Sequence, residues 1–220
     1  MKASAVIFDF DGLILDTETP ILEAWQAVYA AHGCTLGIDV WQHALGTAGG
    51  FDPFRDLAER TGLTFDREEL QQRVTERNWA QCEQQALLPG VVDVLDAAQE
   101  LGLRTAVASS SSRAWLDRWL TKHCIIDRFD ALCGRDDVAR VKPEPDLFLL
   151  AAERIGAAPA TCVVLEDSPN GIRAAKRAGM RCVAVPNALT RQLVLPDPDL
   201  VVSSLAERPL LDMLRAVGLA

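Results

Sequence analysis

The stretch Ala5-Val6-Ile7-Phe8-Asp9-Phe10-Asp11-Gly12 decides the fold of this chain. Its four leading apolar residues predict a short strand that is buried on both faces of a parallel sheet. Because alternate residues of an extended chain point to the same side, Asp9 and Asp11 are predicted to project together from the end of that strand. Gly12 then permits a sharp turn. An Asp-x-Asp-Gly sequence also occurs in calcium loops and ordinary turns, so its meaning depends on the residues that accompany it.

Similar apolar runs recur along the chain and alternate with segments of helical periodicity. The runs lie at residues 105–108, 162–165, 182–185 and 200–202, with a weaker candidate at 129–132. Apolar stripes with a 3.6-residue period predict helices within residues 91–101, 147–155 and 172–178. Strands that alternate with helices in this way predict an α/β fold with a doubly wound parallel sheet.

The connection after the first strand is much longer than one helix requires. Residues 18–88 carry several extra helical patterns, and Leu88-Pro89-Gly90 then resembles a hinge. The chain is therefore predicted to divide into an α/β core of residues 1–17 and 89–220 and an inserted all-helical cap of residues 18–88. The insertion follows the carboxyl end of a strand, where α/β sheets bind ligands, so the cap is placed to act as a lid.

Composition excludes several classes of partner. The 220 residues include 22 Lys and Arg against 31 Asp and Glu, a net charge of −9, which argues against binding to nucleic acid or to anionic lipid. No apolar run approaches the ~18 residues of a membrane-spanning helix, so no membrane partner is expected. The six cysteines form no CxxC pair, which indicates reduced thiols and a cytoplasmic location. Nothing in the sequence indicates an oligomeric state.

Polar residues also stand where other predicted elements end: Ser109 after the second run, Lys142 before a proline that favours extended backbone, and Glu166 with Asp167 after the run at 162–165. The carboxyl ends of parallel strands meet at one edge, so these side chains are expected to converge with the first two aspartates. Four acids and one lysine would repel one another unless some were protonated or a cation lay between them. Oxygen ligands indicate a hard cation, and Mg²⁺ suits a site shared with water and phosphate.

This set of residues resembles the four motifs of the haloacid dehalogenase-like superfamily. It is most similar to the branch with a small helical cap, which contains β-phosphoglucomutase and sugar-phosphate phosphatases. The resemblance covers nearly the whole chain in order, and the stretch from Asp9 to Glu18 is similar to the first motif at almost every position.

The resemblance implies a role for each motif residue. Asp9 would be the nucleophile and form an aspartyl-phosphate, and Asp11 would act as general acid and then general base. Mg²⁺ would be held by the Asp9 side chain, the Asp11 backbone carbonyl and Asp167. Glu166 would either bind the cation directly or support the residues that do. Ser109 and Lys142 would hold the phosphoryl group. The implied function is a Mg²⁺-dependent phosphatase that hydrolyses a small phosphorylated metabolite, with sugar phosphates leading.

A phosphosugar mutase of the β-phosphoglucomutase type is the main alternative. Those mutases carry a Lys-Gly-x-Ser-Arg-like cap loop that grips the second phosphate of the sugar. The matching stretch here is Leu45-Gly46-Thr47-Ala48-Gly49, which has neither lysine nor arginine. The loss of those cations favours hydrolysis. Residues with a predicted substrate contact are Gly46, Thr47, Arg55, Ser110 and Arg113, the two arginines as substitute cations.

Two non-enzymatic functions are also possible interpretations of the sequence. Phospho-aspartate receiver domains share a doubly wound sheet, acids, a hydroxyl and a lysine, but they need only about 120 residues and have no large insert after the first strand. A non-catalytic binding descendant is disfavoured because no motif residue is missing. Trp115 and Trp119, four residues apart, are predicted to line a core helix, and the acids of Arg135-Asp136-Asp137 are interpreted as a solvated loop.

Overall fold

The computed structural model describes residues 2–45 and 50–220. Its sheet has six strands in the order β3-β2-β1-β4-β5-β6, and every pairing is parallel. The strands are β1 (Ala5–Phe8), β2 (Arg104–Ala108), β3 (Ala131–Cys133), β4 (Cys162–Glu166), β5 (Arg181–Ala184) and β6 (Leu200–Val201). The strand order reverses between β1 and β4, which is where such sheets open a crevice. The predicted α/β fold with a doubly wound parallel sheet is confirmed.

Helices cover both faces of the sheet and fill the long connection after β1. They are α1 (Glu18–Ala31), α2 (Ile38–Trp41), α3 (Pro53–Thr61), α4 (Arg67–Cys82), α5 (Val91–Glu100), α6 (Arg113–Lys122), α7 (Asp146–Arg154), α8 (Pro169–Arg177) and α9 (Leu210–Ala216). Short 3-10 helices span Ile126–Arg128, Arg135–Asp137, Pro159–Thr161 and Thr190–Gln192. Within the described ranges, no helix is both long and apolar enough to cross a bilayer.

The two faces of the sheet bury separate apolar clusters, which explains the continuous apolar runs. Val6 and Phe8 of β1 pack on one face with residues of α5, α6 and α9. Ala5 and Ile7 alternate to the other face, where α7 and α8 cover them. Because helices shield both faces, β1 carries no polar residue until it reaches the edge of the sheet at Asp9.

Helices α1 to α4 have an apolar cluster of their own. It includes Trp25 and Tyr29 of α1, Leu57 of α3 and Val74 of α4. The Tyr29 hydroxyl donates to the Pro53 carbonyl at 2.9 Å and to Asp56 Oδ2 at 2.8 Å, which fastens α1 to α3. A separate core is what an inserted helical cap requires, although the boundaries at residues 18 and 88 stay a prediction.

The chain leaves and re-enters the α/β core at one place. The Leu88 amide donates to the Ile14 carbonyl at 2.9 Å, and Leu15 forms an antiparallel bridge with Leu87. The two ends of the insert are therefore held side by side, a few residues beyond Asp9 and Asp11. This arrangement places the helical insert directly over the carboxyl edge of β1.

Candidate active site

The carboxyl ends of β1 and β2 open into a pocket of about 370 Å³ between the sheet edge and the helical insert. The core side of the pocket includes the predicted residues Asp9, Asp11, Ser109, Ser110 and Lys142. The insert contributes residues from α1 and α4 and from the segment after α2: Glu18, Ile21, Ala44 and Asn78. The strand ends therefore converge as the sequence predicts.

Lys142 lies between two acids at the base of the pocket. Its Nζ donates to Asp9 Oδ1 at 2.6 Å and to Glu166 Oε1 at 2.7 Å, and its side chain is 1% exposed. Burial alone would lower the pKa of Lys142, but the carboxylates of Asp9 and Glu166 outweigh it and raise that pKa above its ordinary value. The two carboxylates thus favour the charged form of Lys142 beside Asp9.

Three buried acids meet in a compact cluster. Asp9, Glu166 and Asp167 each offer a carboxylate oxygen, and these oxygens lie within 4.8 Å of one another. Burial and the charge on Glu166 raise the pKa of Asp9 to about 8, against the opposing charge of Lys142. Burial, followed by the charges on Glu166 and Asp9, also raises the pKa of Asp167 well above its ordinary value. A cluster of oxygen donors whose negative charge one lysine cannot neutralise fits a hard divalent cation.

Glu166 is fixed by the start of α8. Its Oε2 accepts from the Ser168 amide at 2.7 Å and from the Ser168 hydroxyl at 3.0 Å. Ser168 also caps α8 by accepting from the Gly171 amide at 3.1 Å. A Cβ atom on Gly171 would lie 1.5 Å from Glu166 Oε1, so the carboxylate occupies the space that a side chain at residue 171 would need.

Asp167 is fixed by a residue that the motifs do not include. Asn187 Nδ2 donates to Asp167 Oδ2 at 2.7 Å and to the Gly12 carbonyl at 3.3 Å. Asn187 therefore connects the turn after β1 to the end of β4. It follows the fifth strand at the same edge of the sheet, and that position was the available signal for its role.

Asp11 accepts four hydrogen bonds. Oδ1 accepts from the Thr17 hydroxyl at 2.7 Å and from the Trp115 indole Nε1 at 2.9 Å. Oδ2 accepts from the Ser109 hydroxyl at 2.9 Å and from the Ser111 hydroxyl at 2.7 Å. The prediction that Trp115 and Trp119 line a core helix is confirmed for Trp119, which is fully buried. Trp115 is partly buried against the same core, and its indole N–H also reaches Asp11 in the pocket, which the sequence did not indicate.

Of the other residues predicted to contact the substrate, some line the pocket and some do not. Ser110 lines the pocket, and its buried hydroxyl has no hydrogen-bond partner among the described residues. Arg113 is paired with Asp117 at 2.8 Å and Arg55 with Glu59 at 2.7 Å, each within its own helix, and neither arginine lines the pocket. Arg135, from the segment interpreted as solvated loop, does line it. Gly46 and Thr47 lie outside the described residues.

Comparison with known proteins places this geometry in a family. The profile of the family described as haloacid dehalogenase-like hydrolase matches residues 6–185. A Bacillus subtilis protein named "Putative phosphatase YhcW" is 47% identical over 94% of both chains. Hexitol phosphatase B of Escherichia coli is 33% identical over 96% of both chains.

A solved structure is similar over nearly the whole fold. The crystal structure of a mutant of CbbY from Rhodobacter sphaeroides, in complex with xylulose-(1,5)bisphosphate, matches 93% of this chain and 96% of its own, with 30% identity and a TM-score of 0.77. The family match spans Asp9, Ser109 and Asp167, which follow strand ends, and Lys142, which lies in the loop before α7. The chain belongs to the haloacid dehalogenase-like hydrolases, as its motifs predict.

Proposed function

We propose that this protein is a Mg²⁺-dependent phosphatase that hydrolyses a small phosphorylated metabolite, with a sugar or sugar-alcohol phosphate as the leading class. The observation that carries the proposal is the pair of aspartates at the pocket rim: Asp9 held by Lys142 at 2.6 Å, and Asp11 held by four donors. The names of the relatives support the same class, since one is a hexitol phosphatase and another binds a pentulose bisphosphate.

In the proposed reaction, Asp9 attacks the phosphorus atom and Asp11 gives a proton to the departing alcohol oxygen. The product is an aspartyl-phosphate on Asp9. Water then attacks that phosphorus, Asp11 takes the proton from the water, and inorganic phosphate leaves while Asp9 is regenerated. Lys142 has three N–H donors, two of which reach Asp9 and Glu166, so one remains for a phosphoryl oxygen. The Ser109 hydroxyl, which donates its one proton to Asp11 Oδ2 in the structure, would turn to donate it to a second phosphoryl oxygen.

The cluster of Asp9, Glu166 and Asp167 supports the choice of ligands for the proposed cation. Asp9 and Asp167 would bind Mg²⁺ through their side chains, and Asp11 would bind it through its backbone carbonyl. Both oxygens of Glu166 already accept hydrogen bonds, from Lys142 and from Ser168, which favours a supporting role for Glu166 behind the ligands. When bound, the cation would neutralise negative charge on the phosphoryl group.

The helical insert of residues 18–88 is proposed to act as the cap that closes the pocket and selects the substrate. Asn78 of α4 and Ile21 of α1 line the pocket opposite the catalytic aspartates. Among the lining residues within 2–45 and 50–220, those from the insert include no cation. A mutase must hold a second phosphate, so this lining favours hydrolysis over mutase chemistry.

The proposed partner is therefore a small phosphorylated molecule, and we propose a cytoplasmic location. All six cysteines are free thiols, which suits a reducing compartment. The net charge of −9 disfavours nucleic acid as a substrate or partner.

Turnover of a panel of phosphorylated metabolites with Mg²⁺ tests the proposed function. We expect catalytic release of inorganic phosphate, fastest from sugar or sugar-alcohol phosphates. Isomerised sugar phosphate without free phosphate would instead indicate a mutase. A single phosphorylation event with no further release would indicate a receiver domain.

Exchange of Asp11 for asparagine is expected to slow the hydrolysis of alkyl phosphates by about 100-fold or more and the hydrolysis of aryl phosphates far less. The physical reason is that an alkoxide is a poor leaving group and needs a proton, whereas a phenolate does not. The measurement is kcat/KM across a series of leaving groups. Asp16→Asn is the matched control, because the Asp16 side chain accepts from the Thr19 amide at 3.0 Å in the first turn of α1 and does not line the pocket. Equal losses for alkyl and aryl substrates would contradict an acid role for Asp11.

A further inference from the structure

We propose that Trp115 is a positioning residue for Asp11, and that its indole N–H holds Oδ1 of that aspartate in place for proton transfer. The inference rests on the proposed function, because it concerns the acid of that reaction. Trp115 belongs to none of the four motifs. It stands in the first turn of α6, which begins at the pocket rim directly after the serines that follow β2.

The contact is a hydrogen bond to a charged acceptor inside a confined pocket. Trp115 Nε1 lies 2.9 Å from Asp11 Oδ1, and both residues line the pocket. A carboxylate offers about four acceptor sites, and Asp11 fills four of them with protein donors. The Asp11 carboxylate is therefore fixed in orientation, because Oδ1 and Oδ2 each accept two hydrogen bonds.

The indole differs chemically from the other three donors. Thr17, Ser109 and Ser111 contact Asp11 through hydroxyls, which can rotate and accept a hydrogen bond as well as donate one. An indole N–H can only donate. Trp115 therefore requires Oδ1 to remain an acceptor throughout the reaction.

The direction of the indole N–H is set by packing of the Trp115 ring on the buried core. The fully buried Trp119 packs edge-on against Trp115 with ring centroids 5.3 Å apart. Trp79 of α4 is an outer neighbour at 6.2 Å and is itself 40% exposed. Anchoring of the Trp115 ring on the core explains how one side chain can orient Asp11 reproducibly.

Trp115→Phe removes the N–H and keeps an aromatic ring in the same place. We expect kcat/KM to fall about tenfold for alkyl phosphates, with less than a twofold change for aryl phosphates, because loss of a charged hydrogen bond misplaces the acid. Trp79→Phe is the matched control: it makes the same exchange in a residue that touches the Trp115 ring but not Asp11. It is expected to stay within about twofold of the parent for both substrates.

A second measurement does not depend on turnover. The indole N–H signals in a ¹H–¹⁵N spectrum can be assigned by single Trp→Phe exchanges. The Trp115 signal is expected downfield, as for a donor to a carboxylate, and is expected to move upfield in Asp11→Asn while the Trp79 signal stays in place. An indole N–H signal of Trp115 with the same chemical shift in Asp11→Asn as in the parent would overturn the inference, even if Trp115→Phe proved too unstable for kinetics.

The outcomes separate failure of this inference from failure of the proposed function. If the parent protein releases no phosphate, or releases it as fast in Asp9→Asn, the proposed function fails while the spectroscopic test of the contact still stands. If the parent is an Asp9-dependent phosphatase and Trp115→Phe slows alkyl and aryl substrates equally, or matches Trp79→Phe, the positioning role of Trp115 is wrong.

Discussion

Replacement of Asp9 by asparagine is expected to reduce phosphate release by at least about 10⁴-fold while the protein stays folded, because the nucleophile is removed but its shape is kept. An amide oxygen can still accept from Lys142, whose Nζ lies 2.6 Å from Asp9 Oδ1. Lys142 also keeps its partner Glu166 at 2.7 Å. Burial and the charge on Glu166 already disfavour a negative charge at residue 9, so a neutral side chain is tolerated there.

Phosphate release and thermal unfolding of the same samples measure this expectation. The midpoint of unfolding should stay within about 5 °C of the parent. Asp212→Asn is the control, since Asp212 is a half-exposed residue of α9 that pairs with Arg215. Acid quenching during turnover should trap a phosphoryl group on Asp9 in the parent and none in Asp9→Asn. Retention of substantial turnover in a folded Asp9→Asn protein would exclude Asp9 as the nucleophile.

Removal of divalent cations is expected to reduce turnover to below about 1% of the full rate, and added Mg²⁺ is expected to restore it. The three buried carboxylates of Asp9, Glu166 and Asp167 lie within 4.8 Å of one another, and among the residues that the structure describes only Lys142 forms an ion pair with this cluster. A cation that binds this cluster should also stabilise the fold, by about 2.7 kcal/mol at 100 times its dissociation constant. Ca²⁺ should restore much less turnover, because it prefers more ligands at longer distances.

The stabilisation by Mg²⁺ can be measured without a substrate, as a shift in the midpoint of thermal unfolding. Asp167→Asn should lose most of that shift, because it removes one proposed ligand while Asn187 can still contact the side chain. Asp212→Asn should keep the full shift. An unchanged rate in the presence of a chelator would rule out the proposed cation. A shift of equal size in Asp167→Asn would place the cation elsewhere.

The fold and most of the residues that meet at the pocket could be predicted because both depend on local patterns. A strand covered on both faces is mainly apolar until it reaches the sheet edge, so the first polar residue at the end of each apolar run marks the site. This reasoning located Asp9 after β1, Ser109 after β2 and Glu166 at the end of β4. The convergence of these ends follows from parallel topology alone.

The supporting residues could not be predicted because their roles depend on how whole elements are oriented. Trp115 and Trp119 share one helix face and pack on the same core, but α6 starts at the pocket, so the indole N–H of Trp115 also reaches Asp11. Asn187 reaches Asp167 across 20 positions of the chain. The environment of Arg55 depends on α3, whose direction within the insert no periodicity specifies.

Because residue 171 is a glycine, the Glu166 carboxylate can occupy the space beside it, so residue 171 limits which side chains are possible at position 166. A methyl group there would overlap the Glu166 carboxylate, with the added carbon 1.5 Å from Oε1. A shorter acid at residue 166 would withdraw from that space but would also retreat from Lys142. Residues 166 and 171 are therefore expected to change together during evolution. A homologue with a larger residue at position 171 is expected to pair its equivalent of Lys142 with a different acidic side chain.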